Sequence, residues 1–465
     1  IYFLNSTKSI YIIHSSRNKM EEIVKKAMSL GCSFAEAKTI DSKKNTISTS
    51  NNKINEISSG TNKIFSIRVL YDGRWGNAFS KEPNSKLIYN AIKNAKFTDK
   101  KVEIDILKPI KKKVKTKTKI SLKDISLDEK KDMLSKIEKN KPEINNLSLK
   151  YIDSITKSEY VNSEGSNLNW DDSLILMVAS SYAKKNDRFE SFYDVIAKHG
   201  GFEESIAFEK KADNVMKKSI ELLDAKAIKG GFFPTLIDPH LAGVFAHECI
   251  GHACEADLVL NGTSILKDKM NKKIGPDYLN IYDNGELSHK WGWLPYDSEG
   301  VPGKNTTLIK NGKLNSYMHT RESAKEFNVE PTGNGRAQNL DNKIIPRMSN
   351  TYIGKGENSK EEILESIKKG YYLIGSMGGQ VDPASGEFLF NAMEAFSIEK
   401  GEIKERVMGA SLSGNVMQSL NSISMIGKDI EVSGTGFCGK SGQYVPVGDG
   451  GPHFKFEKIK IGGKN

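Results

Sequence analysis

The chain has 465 residues, 37% hydrophobic, with 40 glycines; this is the composition of a folded globular protein of about three domains and excludes a disordered chain. No apolar run approaches the roughly 20 residues of a membrane-spanning helix, and four cysteines, Cys32, Cys249, Cys254 and Cys438, with no C-x-x-C pair exclude a disulfide scaffold, so reduced thiols in a cytoplasmic protein are expected. The formal charge of +11 raises nucleic-acid binding, but much of the excess lies in Lys108–Lys119, which has neither arginine nor aromatic side chains to grip phosphates or stack on bases.

In chain order, residues 1–19 read as an upstream extension outside the fold. An amphipathic helix follows from Met20 to Leu30, with Ile23, Val24, Ala27 and Met28 on one face and Gly31 closing it. Short strands are predicted around Ala35–Ile40, Thr46–Ser50 and Ile64–Tyr71, then an Asp72-Gly73 turn and a helix over Ser85–Ala95. The lysine segment reads as a solvated interdomain strand or linker. Ser126 and Asp128 can cap a helix over Glu129–Lys139. Alternating runs at Leu147–Ser154, Ser158–Val161 and Leu174–Lys185 predict a β-rich middle region, and a helix over Ala212–Ala227 leads to a short strand, Phe233–Asp238. Beyond Asp257, Asn284-Gly285 and Asn311-Gly312 signal two-residue hairpins. The expected class is α+β: an N-terminal α/β domain (20–100), a Lys-rich linker (101–125), a β-rich central domain (126–230) and a C-terminal antiparallel β-rich domain (231–465) carrying a metal-binding helix.

That helix holds His247-Glu248-x-x-x-His252. Two imidazoles and a carboxylate on one short segment are the parts of a hydrolytic metal site: nitrogen donors for a zinc-like ion, and a base to deprotonate its bound water. In the H-E-x-x-H signature the histidines stand four apart and share a helix face. Here they stand five apart, which on a regular helix separates them by roughly 140°. A turn widened by one residue, a π-bulge, reduces this to roughly 50° and lets the rings converge. Gly251 sits where that distortion crowds no side chain.

Catalytic zinc usually has three protein ligands and one open position. Cys254, Glu255 and Asp257 are candidates for the third on the same helix; His289, His319, His453 and Cys438 are candidates further along. Cys438 is flanked by Gly436, Gly439 and Gly442, so it suits a thiolate presented from a bending loop, and Lys440 would favour the thiolate. The chemistry of the residues leaves this choice open.

His247-Glu248-x-x-x-His252 with Glu255-x-Asp257 resembles the metal motif of the TldD subfamily of TldD/PmbA proteins, once called modulators of DNA gyrase. The blocks Tyr296–Pro302, Pro331–Arg336, Pro346–Tyr352, Gly378–Asp382 and Cys438–Gln443 resemble the same family, and the likeness runs from about Met20 to the C-terminus. The resemblance implies a zinc-dependent peptidase acting on unfolded or extended peptides, with one Zn²⁺ held by His247, His252 and Cys438 and Glu248 as the catalytic carboxylate. It further implies a PmbA/TldE-like paralogue as heterodimer partner, a homodimer being the alternative; the composition of the lysine segment and the lack of a membrane-length apolar run point to neither nucleic acid nor membrane as partner. Glu248 would take a proton from the zinc-bound water and pass it to the leaving amine. Asn334, Arg336 and Arg347 are candidates for holding the substrate backbone or a terminal carboxylate, or else partners within turns. The competing function is a non-catalytic scaffold or regulator whose metal braces the fold.

Overall fold

A computed structural model describes residues 18–98, 100–137 and 141–462. The expected upstream extension lies outside the described residues except for its last two, which begin the first helix, 18–29. That helix ends at Gly31, whose φ of +88° is a left-handed conformation that only glycine adopts without strain. Met20, Ile23, Val24 and Ala27 are buried against Phe65, Ile67 and Val69.

The two short runs expected at Ala35–Ile40 and Thr46–Ser50 are one strand, Phe34–Ser50, paired antiparallel with Lys53–Tyr71 on one side and Ile144–Asn162 on the other. Hydrogen-bonded neighbours on both edges carry the strand through its polar centre, Asp41–Asn45, where propensity alone predicts a break. Asn51 and Asn52 turn the chain with φ of 46° and 62°. One seven-stranded sheet therefore runs through both the 20–100 and 126–230 segments. Its order is Arg74–Ser80, Lys53–Tyr71, Phe34–Ser50, Ile144–Asn162, Asn167–Lys185, Lys111–Lys115, and Arg188–His199 also pairs with Asn167–Lys185. The lysine segment supplies a parallel edge strand, Lys111–Lys115, with its lysines in solvent; lysine on an edge discourages pairing with another chain. The helix Leu127–Ser135 starts from a Ser126/Glu129 capping box. The helix Phe208–Leu223 buries Phe208, Ala212, Val215 and Met216 against Leu147, Ile175 and Met177 of the sheet.

The C-terminal part holds two further large sheets. In the first, Lys369–Val381, Gly231–Ile237, Phe454–Gly462, Ser411–Asn415 and Glu387–Glu399 pair in that order, and the last pairs back with the first, closing a barrel. Pairing is antiparallel around this ring except between Lys369–Val381 and Gly231–Ile237. The second sheet has the order Lys313–Leu314, Asn305–Lys310, Ile281–Asn284, Asn350–Ile353, Gln443–Gly451, Glu431–Lys440. Between the two lies the helix Pro239–Ala246. Its Phe245 packs on Phe388, Phe390, Phe454 and Phe456 of the barrel. Its Gly243 lies so close to Gln443–Gly451 that a Cβ there would run into the Gly450 backbone.

Asn311-Gly312 forms the expected hairpin, with φ of 48° and 71°. Asn284-Gly285 does not: Ile281–Asn284 pairs with Asn305–Lys310 only after a long excursion. Asn284 is held instead by other bonds, its carbonyl accepting from Asn350 Nδ2 at 2.8 Å and its Oδ1 from Glu286 N at 2.9 Å. Among the described residues no helix is long and apolar enough to cross a membrane.

Candidate metal centre

Strand Gly231–Ile237 delivers the chain to Asp238, whose Oδ1 caps the following helix by accepting from Leu241 N at 2.9 Å, with Pro239 at its first position. After Ala246 the helix widens. His247–Gly251 is a π-turn in which the His252 N–H donates to the His247 carbonyl five residues back, as the histidine spacing requires. The imidazole centroids come to 5.2 Å with planes at 89°. Gly251 has φ −54°, ordinary helical backbone, so the distortion is not why glycine stands there; a Cβ would run into Met348 Sδ, and Met348 is fully buried.

Cys438 arrives from an edge strand, Glu431–Lys440, rather than from a loop. Side chains alternate along a strand, and here Phe437 faces out while Cys438 faces in. Its Sγ stands 3.5 Å from His252 Nε2. Donor atoms of His247, His252 and Cys438 all lie within 4.8 Å of one another, the one such group of His, Cys, Asp or Glu found among the described residues. A tetrahedron with zinc–nitrogen and zinc–sulfur bonds of about 2.0–2.3 Å has edges of roughly 3.5 Å, so the Cys438–His252 separation already matches one edge. His247 Nδ1 is buried without a hydrogen-bond partner.

The electrostatics suit a cation. Burial pushes the Cys438 thiol up, but His247 and His252 outweigh it and bring its pKa down to about 5. Burial likewise opposes charge on His247, and Cys438 more than offsets it; for His252 the offset comes first from Glu255 and then from Cys438. Glu248 lies beside the cluster, its Oε2 4.0 Å from His252 Nε2, and its side chain keeps 20% exposure. Burial holds its carboxyl above the ordinary range while the two imidazoles pull the other way.

Glu255, a candidate ligand from the sequence, is the hydrogen-bond partner of His252. His252 Nδ1 lies 3.0 Å from Glu255 Oε2, which fixes the ring so that Nε2 faces the cluster. Burial raises the Glu255 carboxyl, but His252, Lys440 and Arg347 together hold it below its ordinary value. Lys440 binds Asp257 Oδ1 at 2.6 Å and Glu255 Oε2 at 3.2 Å, so its charge is matched by these carboxylates and the imidazoles, not Lys440, favour the thiolate.

Asn334, Arg336 and Arg347 are buried, and the bonds they make are to this chain. Asn334 Nδ2 donates to Asp283 Oδ2 at 2.8 Å and to the Arg347 carbonyl at 3.1 Å. Arg336 donates to the Met348 carbonyl. Arg347, fully buried, donates to the carbonyls of Cys438 and Gln443 and sets its Nε 3.7 Å from Glu255 Oε1. It thereby ties the cysteine strand to the histidine helix. Asp283 anchors this block, accepting also from Ser349 N and Oγ and from Thr351 Oγ1. The remaining candidates are occupied elsewhere: His289 Nδ1 with the His199 carbonyl, His319 Nδ1 with Ser323 Oγ, and His453 with Asp429 and Tyr372. Cys254 is buried, which pushes its thiol up.

Three family models cover the chain, and each is a metallopeptidase domain: PmbA/TldA metallopeptidase domain 1 over 35–97, the central domain over 120–223 and the C-terminal domain over 230–463. The chain belongs to the PmbA/TldD family. Metalloprotease MJ0996 of Methanocaldococcus jannaschii is 40% identical, covering 92% of this chain and 97% of its own. The zinc metalloprotease TldD homologue of Saccharolobus solfataricus is 34% identical over 96% of this chain and 100% of its own. The crystal structure of TldE from Thermococcus kodakarensis shares the fold, with a TM-score of 0.76 at 23% identity, covering 95% of this chain and 99% of that one.

Proposed function

We propose that the chain is a zinc-dependent peptidase that hydrolyses unfolded or extended peptides, with one Zn²⁺ held by His247, His252 and Cys438 in the 231–465 segment. The observation that carries this reading is the convergence of two imidazoles and a thiolate, with Glu248 alongside and partly open to solvent. Imidazole nitrogen and cysteine thiolate are both zinc donors, and three protein ligands leave the fourth position for water. Zinc, when bound, polarises the scissile carbonyl and acidifies the attacking water. Glu248 accepts a proton from that water and returns it to the leaving amine. Glu255 keeps His252 in the tautomer that presents Nε2, and Arg347, with Asn334 and Asp283 behind it, holds Cys438 at its station; Arg336 braces the same block through the Met348 carbonyl. Within its sheet Glu431–Lys440 is paired on one side only, and an extended peptide adding to such an edge is held by main-chain bonds with little sequence preference. A PmbA/TldE-like paralogue or a second copy as partner, and a cytoplasmic location with all four cysteines as free thiols, belong to the same reading.

Metal analysis combined with digestion of fluorescent casein, with and without chelator and with and without a TldE-like partner, tests it. Chelator-sensitive digestion by protein carrying about one zinc per chain is the expected result. Metal-replete protein inert towards unfolded peptides even beside its partner would leave a metal-braced scaffold.

A further inference from the structure

Two complementary polar atoms near this centre are buried and unpartnered: His247 Nδ1 and Asp449 Oδ1. A buried carboxylate oxygen without a donor is costly, and so is a buried ring N–H without an acceptor. Asp449 lies in Gln443–Gly451, opposite Gly434 on one side and Thr351 on the other. Its side chain is wedged between the strand that carries Cys438 and the helix that carries His247. The space for it comes from two glycines: a Cβ on Gly434 would run into Asp449 Oδ1, and one on Gly243 would lie 2.5 Å from it. Gly243 stands four residues before His247, on the same helix face.

The second histidine of the centre supplies the contrast. His252 Nδ1 meets Glu255, whereas His247 Nδ1, also buried, has no hydrogen-bond partner. Ligand histidines almost always pass their other ring N–H to a carboxylate, carbonyl or water, because that bond fixes the tautomer and strengthens the donor. The groups whose charge acts on Asp449 are His240, His247 and Asp238, and it acts in turn on Glu248 and Tyr193. Asp238 offers no proton, Glu248 is an acid of the same sign, and the Tyr193 hydroxyl already donates to the Ser376 carbonyl at 3.0 Å. That leaves His247 and, as a rival, the half-buried His240.

We infer that Asp449 is the positioning carboxylate of His247, accepting its Nδ1 proton when the metal site is loaded, as Glu255 does for His252. The inference rests on the ligand set proposed above. Gly243 and Gly434 then serve to let this carboxylate reach between helix and strand.

The test is zinc affinity by chelator competition on metal-free wild type, Asp449→Ala, Asp449→Asn and His240→Gln, with melting temperature and the imidazole N–H resonances of the zinc-loaded proteins recorded alongside. Asp449→Ala is expected to bind zinc about 10- to 100-fold more weakly and to lose one slowly exchanging ring N–H resonance. Asp449→Asn keeps the shape and an acceptor oxygen, so it stays folded if the alanine variant does not, and its loss is expected to be smaller. Undiminished affinity with an unchanged resonance in both Asp449 variants overturns the inference, as does an equal loss in His240→Gln. Wild type that takes up no zinc sinks the ligand set itself, a failure distinct from zinc-binding wild type with indifferent Asp449 variants.

Discussion

Cys438 Sγ and His252 Nε2 stand 3.5 Å apart although 186 residues separate them in sequence. Their approach depends on an edge strand aligned on Gln443–Gly451 and on a helix packed against that same strand through Gly243. Replacing Cys438 with Ser removes the soft donor but keeps the shape. Zinc affinity in chelator competition is expected to fall by more than the roughly 10- to 100-fold that loss of an outer-shell partner brings, with the melting temperature of the metal-free protein little changed.

Glu248→Gln separates chemistry from binding. The amide can neither accept the proton of the attacking water nor return it, so peptide turnover should drop by about 10²- to 10⁴-fold. Zinc content, measured on the same preparation, should stay at the wild-type value.

Gly251→Ala tests the packing behind the π-turn. The new methyl would run into Met348 Sδ, and Met348 is itself fully buried; overpacking of this kind costs about 1–3 kcal/mol. Urea unfolding of the metal-free protein should show that loss, and adding Met348→Ala should restore part of it, a coupling that two independent sites would not show.

Glu255→Gln leaves Arg347 facing an amide and Lys440 relying on Asp257. Stripping the compensating charge from a fully buried group costs about 3–5 kcal/mol, readable as a shift in urea midpoint. Zinc affinity should fall as well, because His252 loses the acceptor for its Nδ1 proton.

The histidine spacing made the widened turn legible, because five residues between two rings meant for one ion leave few backbone solutions. The nearness of Glu248 to His252 follows from their sharing one helical segment. The place of Cys438 was not legible: nothing local in Gly436–Gly442 says that this strand is the edge beside Gln443–Gly451, and only family resemblance singled it out. Arg347 and Glu255 were each left with two readings. A charged residue near a metal motif suggests a ligand, a substrate contact or a structural partner, and no local pattern tells that the fold buries these two against one another. In the N-terminal half, propensity breaks Phe34–Ser50 at its polar centre and divides residues 20–100 from 126–230. The ladder between Phe34–Ser50 and Ile144–Asn162 spans that division, and pairing across a hundred residues leaves no local trace.

His319 gives a pH dependence independent of the metal. It is buried against Tyr317 and Phe327, and burial lowers its pKa to about 4 from an ordinary 6.5. Above about pH 6.5 neither folded nor unfolded chain holds the extra proton, and the full stability is present. As pH falls below that value the unfolded chain takes it up first, so stability declines until the folded pKa is passed, by up to about 3 kcal/mol in all. His319→Gln should flatten the unfolding free energy of the metal-free protein between pH 6.5 and 4; an unaltered slope would assign the acid sensitivity elsewhere.

The distance along the chain between the proposed ligands also bears on biosynthesis. A ribosome making this protein completes His252 some 186 residues before Cys438, about ten to forty seconds at ordinary elongation rates. Throughout that interval the nascent polypeptide carries two donors of three. On the proposed ligand set the metal centre cannot be completed before Cys438 has been made, and a product terminated before that residue would lack the third donor.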